Sequence, residues 1–174
     1  MRLFVAVSLT KEQRAALLAY QKLLAKTARA NWSREENLHI TLAFIGEYPD
    51  AAPVIRALNA VRAPSWSLAL DGAGHFGDVR WVGISDGGAA VWLAEDVRRA
   101  LKDAGIPFDP KPPKPHITVA RQFRGEAPDC APEKVSGEIA SFALMRSDRI
   151  DGRLVYTKIW EKKLDRQARE EQQE

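Results

Sequence analysis

One cysteine, Cys130, stands in 174 residues. That excludes an internal disulfide framework and a cysteine-based zinc finger, and a free thiol fits the reducing cytoplasm where we expect the protein to reside. Long hydrophobic runs are also lacking. Nothing approaches the roughly 18 apolar residues that span a bilayer, so no membrane partner is expected. The apolar opening, residues 3–9, is short, is followed at once by Lys11, Glu12 and Arg14, and has no small-residue cleavage site. It reads as a buried strand rather than a secretion signal. Charge of one sign is missing as well: 26 basic against 23 acidic side chains leave +3, which permits a nucleic-acid substrate without requiring one. No heptad or apolar surface stripe marks a partner, and a monomer is expected. What is present is ordinary for a globular chain, 45% apolar and 28% charged, enough to bury a sizeable core without staples.

Periodicity divides the chain into alternating elements. Leu3, Val5 and Val7 with Phe4 and Ala6 predict a strand covered on both faces. Thr10, with Gln13 three residues on, predicts a capping box and a helix. Leu17, Leu18 and Leu24 give that helix its apolar side, and Arg14, Lys22, Lys26 and Arg29 its wet side. A strand is expected over 38–45, stopping at Gly46, and a helix from Asp50 and Pro53 to about 62. Strands follow at 66–70 and 80–84, then a helix over 89–104 that ends at Gly105. Five prolines in 107–115 predict a stiff extended loop. It delivers a strand over 116–122, and a final strand or hairpin pair occupies 138–164. Residues 165–174 lack an apolar face and are expected to fray, leaving 1–164 as one domain. Each half places a helix before a strand that begins with histidine, which suggests an α+β fold of two related lobes.

The informative segments are His39-Ile40-Thr41-Leu42 and His116-Ile117-Thr118-Val119. With five threonines in the chain, a histidine has one two places on by chance about 3% of the time, so two of three histidines doing so is not accidental. On a strand, residues i and i+2 share a face roughly 6.5 Å apart. Each histidine thus shares a face with its threonine, while Ile40, Leu42, Ile117 and Val119 point into the core. Two such strands side by side would place two imidazoles and two hydroxyls around one pocket.

That set of groups suits phosphodiester cleavage. The reaction needs a base for the attacking oxygen's proton and an acid for the leaving oxygen, and histidine serves as either near neutral pH. The hydroxyls can donate to non-bridging phosphate oxygens. No Asp and Glu cluster of the kind a two-metal enzyme needs accompanies the histidines, and no metal or cofactor is expected. Arg121, five residues beyond His116 on the same strand or just past it, can bind phosphate or stack on a base. Lys111, Lys114 and Arg124 read as solvated charges, and His75 as a hydrogen-bonded structural residue. Phe4, Trp32, Phe76 and Tyr156 are possible base-stacking residues, each better read as core.

These tetrads resemble those of the two-histidine phosphoesterase superfamily. Within it the chain looks most like the bacterial and archaeal RNA 2′,3′-cyclic phosphodiesterases, also called 2′-5′ RNA ligases. The likeness extends from Arg2-Leu3-Phe4-Val5-Ala6-Val7 and Trp32, through Glu36-Asn37-Leu38 and the first tetrad to Gly46. It continues through Val79-Arg80-Trp81-Val82-Gly83, Lys114-Pro115 and the second tetrad to Arg121, and ends at Ser147 and 156–164. The resemblance implies a bilobal α+β fold in which two antiparallel sheets form a central cleft with flanking helices. It implies hydrolysis of a terminal 2′,3′-cyclic phosphate to a 2′-phosphate, with RNA ends or cyclic nucleotides as substrate. His39 would be the proton donor, His116 the proton acceptor, and Thr41 and Thr118 the phosphate holders. Two other readings remain: a 2′-5′ RNA ligase using the same histidines with an alcohol in place of water, and a non-catalytic binder of nucleotides or RNA ends.

Overall fold

The computed structural model describes residues 1–166. In order the chain forms β1 (Arg2–Ser8), α1 (Lys11–Leu24), β2 (Ala28–Trp32), a 3-10 turn (Glu35–Asn37), β3 (His39–Glu47), α2 (Ala51–Asn59) and β4 (Trp66–Phe76). There follow β5 (Val79–Ser85), α3 (Ala89–Asp103), β6 (Ile117–Gly125), β7 (Ser136–Ile139), β8 (Ser141–Ile150) and β9 (Arg153–Lys163). The strands make two antiparallel sheets, ordered β3-β1-β8-β9 and β2-β6-β5-β4-β7. This is the expected α+β architecture.

The helices cover the sheets crosswise. α1 follows a strand of the first sheet yet packs on β6 and β7 of the second, and α3 follows a strand of the second yet packs on β3 of the first. One connected hydrophobic core runs behind both, from Leu3, Ile40 and Val97 to Leu17, Leu68 and Val119. Thr10 and Gln13 form the predicted capping box. Gln13 is wholly buried, and its amide also donates to the carbonyls of Leu68 (2.8 Å) and Val135 (3.2 Å). A residue chosen as a helix cap thereby fastens the helix to β4.

Several expectations are corrected. Residues 28–32 form a strand, β2, so Arg29 and Lys26 lie beyond α1 rather than on its wet side. β4 runs on to Phe76, six residues past the expected end, because it pairs with β5 across a tight Gly77 turn. α2 stops at Asn59. The 138–164 region is a hairpin, β8 and β9, preceded by short β7, which leaves for the other sheet. Asp165 forms a bridge with Pro64, and 167–174, where fraying is expected, lie outside the described residues. Among those described, no helix is long and apolar enough to cross a membrane.

Candidate active site

The two histidine strands lie in different sheets and are not hydrogen-bonded to each other. They meet across a cleft of about 810 Å³ lined by both tetrads' His and Thr side chains, so the two halves face rather than adjoin. As expected, Ile40, Leu42, Ile117 and Val119 are fully buried behind them.

Each ring is held by the same local bond. His39 Nδ1 lies 2.7 Å from the Asn37 carbonyl, and His116 Nδ1 2.6 Å from the Lys114 carbonyl. A carbonyl only accepts, so Nδ1 carries the hydrogen in both and the neutral rings present a bare Nε2 to the cleft. The two carbonyls are fixed by different means. Asn37 closes the 3-10 turn and donates its side-chain amide to Leu154 on β9 (3.0 Å). Lys114 sits between Pro113 and Pro115, whose rings hold the backbone extended.

Aromatic side chains wall each ring. His39 packs against Phe4 (5.0 Å between centroids) and edge-on to Tyr156 (5.3 Å), themselves 4.9 Å apart. His116 packs against Phe76 (5.7 Å) and Trp81 (6.3 Å), 5.3 Å apart. Of the residues read as core, Phe4 is buried but Phe76 is 49% exposed, beside His116. Gly74 makes room for Trp81: a Cβ there would sit 2.3 Å from the indole Cζ2. Burial lowers the His39 pKa, the Asn37 carbonyl raises it, and Arg121 and His116 lower it further. Burial raises the Tyr156 phenol, and Arg121 and Arg2 pull it down.

Each tetrad ends on the extra residue of a β-bulge, and this is what aims Arg121. Strict alternation would send a residue five beyond His116 to the core face. On β6, Thr118 pairs with Trp81 and Ala120 with Arg80, leaving Val119 as an extra residue. Val119 and Ala120 are both buried and Arg121 returns to the cleft. β3 does the same: Thr41 pairs with Ala6 and Ala43 with Val5, Leu42 is extra, and Phe44 lines the cleft. A helix side chain satisfies each bulged carbonyl. Gln21 of α1 donates to Val119 (2.9 Å) and Arg98 of α3 donates to Leu42 (3.2 Å). Neither the bulges nor these two residues carry a signal in the sequence.

Four arginines line the cleft: Arg2, Arg121, Arg146 and Arg149. Arg146 is neutralised by Asp148 (3.0 Å) and Arg149 leans toward the Gly152 carbonyl (3.5 Å). Among the described residues, the guanidinia of Arg2 and Arg121 have no hydrogen bond or ion pair; Arg2 lies over the Phe44 ring at 5.1 Å. His75 is outside the cleft, its Nδ1 3.3 Å from the Gly77 carbonyl. Among the described residues no three His, Cys, Asp or Glu side chains group to hold a metal ion.

The family described as LigT like Phosphoesterase matches residues 7–84. An RNA 2′,3′-cyclic phosphodiesterase of Geobacillus stearothermophilus is 39% identical over 72% of this chain, which spans 43% of that relative's length. One of Thermus thermophilus is 34% identical, with 90% of this chain and 87% of the relative covered. In shape, the chain matches crystalline Escherichia coli LigT complexed with 3′-AMP, at a TM-score of 0.76 and 28% identity over 94% of this chain and 96% of that one.

Proposed function

Because the chain belongs to the LigT-like phosphoesterase family, we propose that it opens RNA 2′,3′-cyclic phosphate ends to 2′-phosphomonoesters by metal-independent acid–base catalysis. The observation that carries this reading is the matched pose of His39 and His116, each with Nδ1 committed to a carbonyl and Nε2 turned to one cleft. His116 Nε2 takes a proton from water as the water oxygen bonds to phosphorus. The bond from phosphorus to the 3′ oxygen breaks, and His39 Nε2–H gives that oxygen its proton. Thr41, Thr118 and Arg121 hold the non-bridging oxygens, where charge builds. An acid must keep its proton. Burial works against the His39 imidazolium, and the anionic phosphate beside it works the other way once substrate is bound. One chain supplies all these side chains, and the enzyme is proposed to be a monomer.

The test is to incubate the purified protein and a chelator with an RNA oligomer ending in a 2′,3′-cyclic phosphate, and to identify the end formed. We expect a 2′-phosphate, with kcat at least 10² lower in His39→Ala and His116→Ala. An unchanged cyclic end, or less than tenfold loss in both variants, overturns the reading. Joined product on adding 5′-hydroxyl ends would instead mark a ligase.

A further inference from the structure

The cleft extends past the His and Thr groups to Phe44 and Glu47, and there stands Arg2, without a hydrogen bond or ion pair to its guanidinium among the described residues. Arg2 lies on the cleft face of β1, in a cross-strand row with Glu47, Ser147 and Tyr156. Three features make it more than a solvated charge. The carboxylate of Glu47, its partner across the strands, turns to the Met1 ammonium (3.3 Å) and leaves Arg2 unneutralised. The Arg2 guanidinium is laid over Phe44, whose pair with Phe4 is the rung between Arg2 and Thr41, so the side chain leans toward the reacting centre. And Phe44 is the residue that the first bulge aims into the cleft, as the second bulge aims Arg121. Where one lobe supplies its cation directly, the other supplies an aromatic shelf with a cation resting on it.

Two unpaired guanidinia therefore approach the cleft from opposite lobes, and the reacting phosphate occupies only one of them. Along β1 four residues, about 13 Å, separate the Arg2 backbone from Ala6, which pairs with Thr41. The guanidinium rests on Phe44, which pairs with Phe4 on the rung between them, so the side chain covers part of that gap. Resting on this reading of the reaction, we propose that Arg2 binds the phosphate on the 5′ side of the reacting nucleotide, so that the enzyme prefers an RNA end to a nucleoside 2′,3′-cyclic monophosphate. Such a monophosphate has only a hydroxyl at the 5′ position, whereas an oligonucleotide end carries a phosphodiester and a 5′-phosphorylated nucleotide a monoester there. A guanidinium pairs with either in its planar, two-pronged geometry.

The experiment compares kcat/KM on three substrates: adenosine 2′,3′-cyclic monophosphate, its 5′-phosphorylated form, and a diadenosine dinucleotide with a 2′,3′-cyclic end. The full chain is used as wild type, Arg2→Met and Arg99→Met, the last being a remote charge on α3. We expect the wild type and Arg99→Met to favour both phosphate-bearing substrates at least tenfold at low salt, less so as salt rises. Arg2→Met should bring that preference within threefold. Thermal unfolding checks that the variant folds, with Arg2→Gln as a second substitution. Equal wild-type rates on all three substrates, or a preference that survives in both Arg2 variants, overturns the proposal. A preference for the monoester alone, absent with the dinucleotide, assigns the site to free 5′-phosphorylated nucleotides and overturns it for RNA. Hydrolysis of none of the three would be a failure of the reaction assigned above. Affinity for adenosine 2′,5′-bisphosphate against 2′-AMP then reads Arg2 without turnover: a tenfold difference lost in Arg2→Met supports the site, and no difference overturns it.

Discussion

Thr41 Oγ1 lies 2.8 Å from His39 Nε2. With Nδ1 donating to Asn37, the neutral ring has only a lone pair at Nε2, and the threonine hydroxyl donates to it. Once Nε2 is protonated the bond reverses: nitrogen donates, and the hydroxyl hydrogen is released for a phosphate oxygen. In the proposed mechanism, protonating His39 and freeing the Thr41 hydroxyl hydrogen for the phosphate are one event. Thr41→Val, nearly the same shape, should lower kcat/KM by about 10–10², the worth of one hydrogen bond to a charged group. Thr41→Ser should stay within a few fold of wild type. Steady-state kinetics on the cyclic-ended RNA decides it, and equal rates for Val and Thr would sink the coupling.

The rate should depend on pH as a bell, since one histidine must be neutral and the other charged, and its limbs belong to the pair rather than to either ring. The free enzyme's limbs appear in kcat/KM and those of the complex in kcat. Burial holds His39 below the usual histidine range in the empty cleft, and bound phosphate opposes that. The kcat bell should therefore lie at higher pH than the kcat/KM bell. Superimposable profiles, or rates flat between pH 5 and 9, would contradict the assignment.

The same lowered pKa has a consequence for stability. The folded protein disfavours a charged His39 and the unfolded chain does not, so between the two pKa values the unfolded state binds more protons. His39 therefore costs nothing above its unfolded pKa of about 6.5 and costs stability as pH falls below that value. His39→Gln cannot take up the proton. Denaturant melts from pH 7.5 to 5 should show the wild type losing ground to His39→Gln as the medium acidifies. Parallel curves would show that the half-buried ring is not penalised.

Gly74→Ala tests the wall behind His116. The new Cβ meets the Trp81 indole at 2.3 Å, and Trp81 packs on both Phe76 and His116. We expect a loss of about 1–3 kcal/mol, as for other overpacked sites, with a fall in kcat as the ring is displaced. Thermal melts and kinetics check the two effects, and an unaltered kcat would mean that the indole does not set the pose of His116.

The doubled tetrad makes the candidate site legible in the sequence, because alternation alone puts His39 with Thr41 and Ile40 with Leu42. Arg121 was legible as a charge but not as a direction. Val119 and Ala120 are both small and apolar, so nothing in the letters distinguishes a bulge from plain alternation, and the bulge alone decides which way Arg121 points. β2 is not legible in the sequence because it is an edge strand: Arg29 and Asn31 are exposed, and no residue in it is fully buried. Its pairing with β6 places it, not its own hydrophobicity. Arg2 carries no signal of its own in the sequence, since its meaning depends on Glu47 and Phe44, more than 40 residues away.

In strand order the chain changes sheets four times, between β1 and β2, β2 and β3, β3 and β4, and β7 and β8, and two of its helices cover the sheet to which the strand before them does not belong. Neither half is therefore a continuous stretch of sequence, and no single cut releases one that carries its own backing helix. The spacing of His39 and His116 across the cleft therefore depends on the packing of the whole chain and not on either half alone. A change in that spacing has to come from the packing behind the strands.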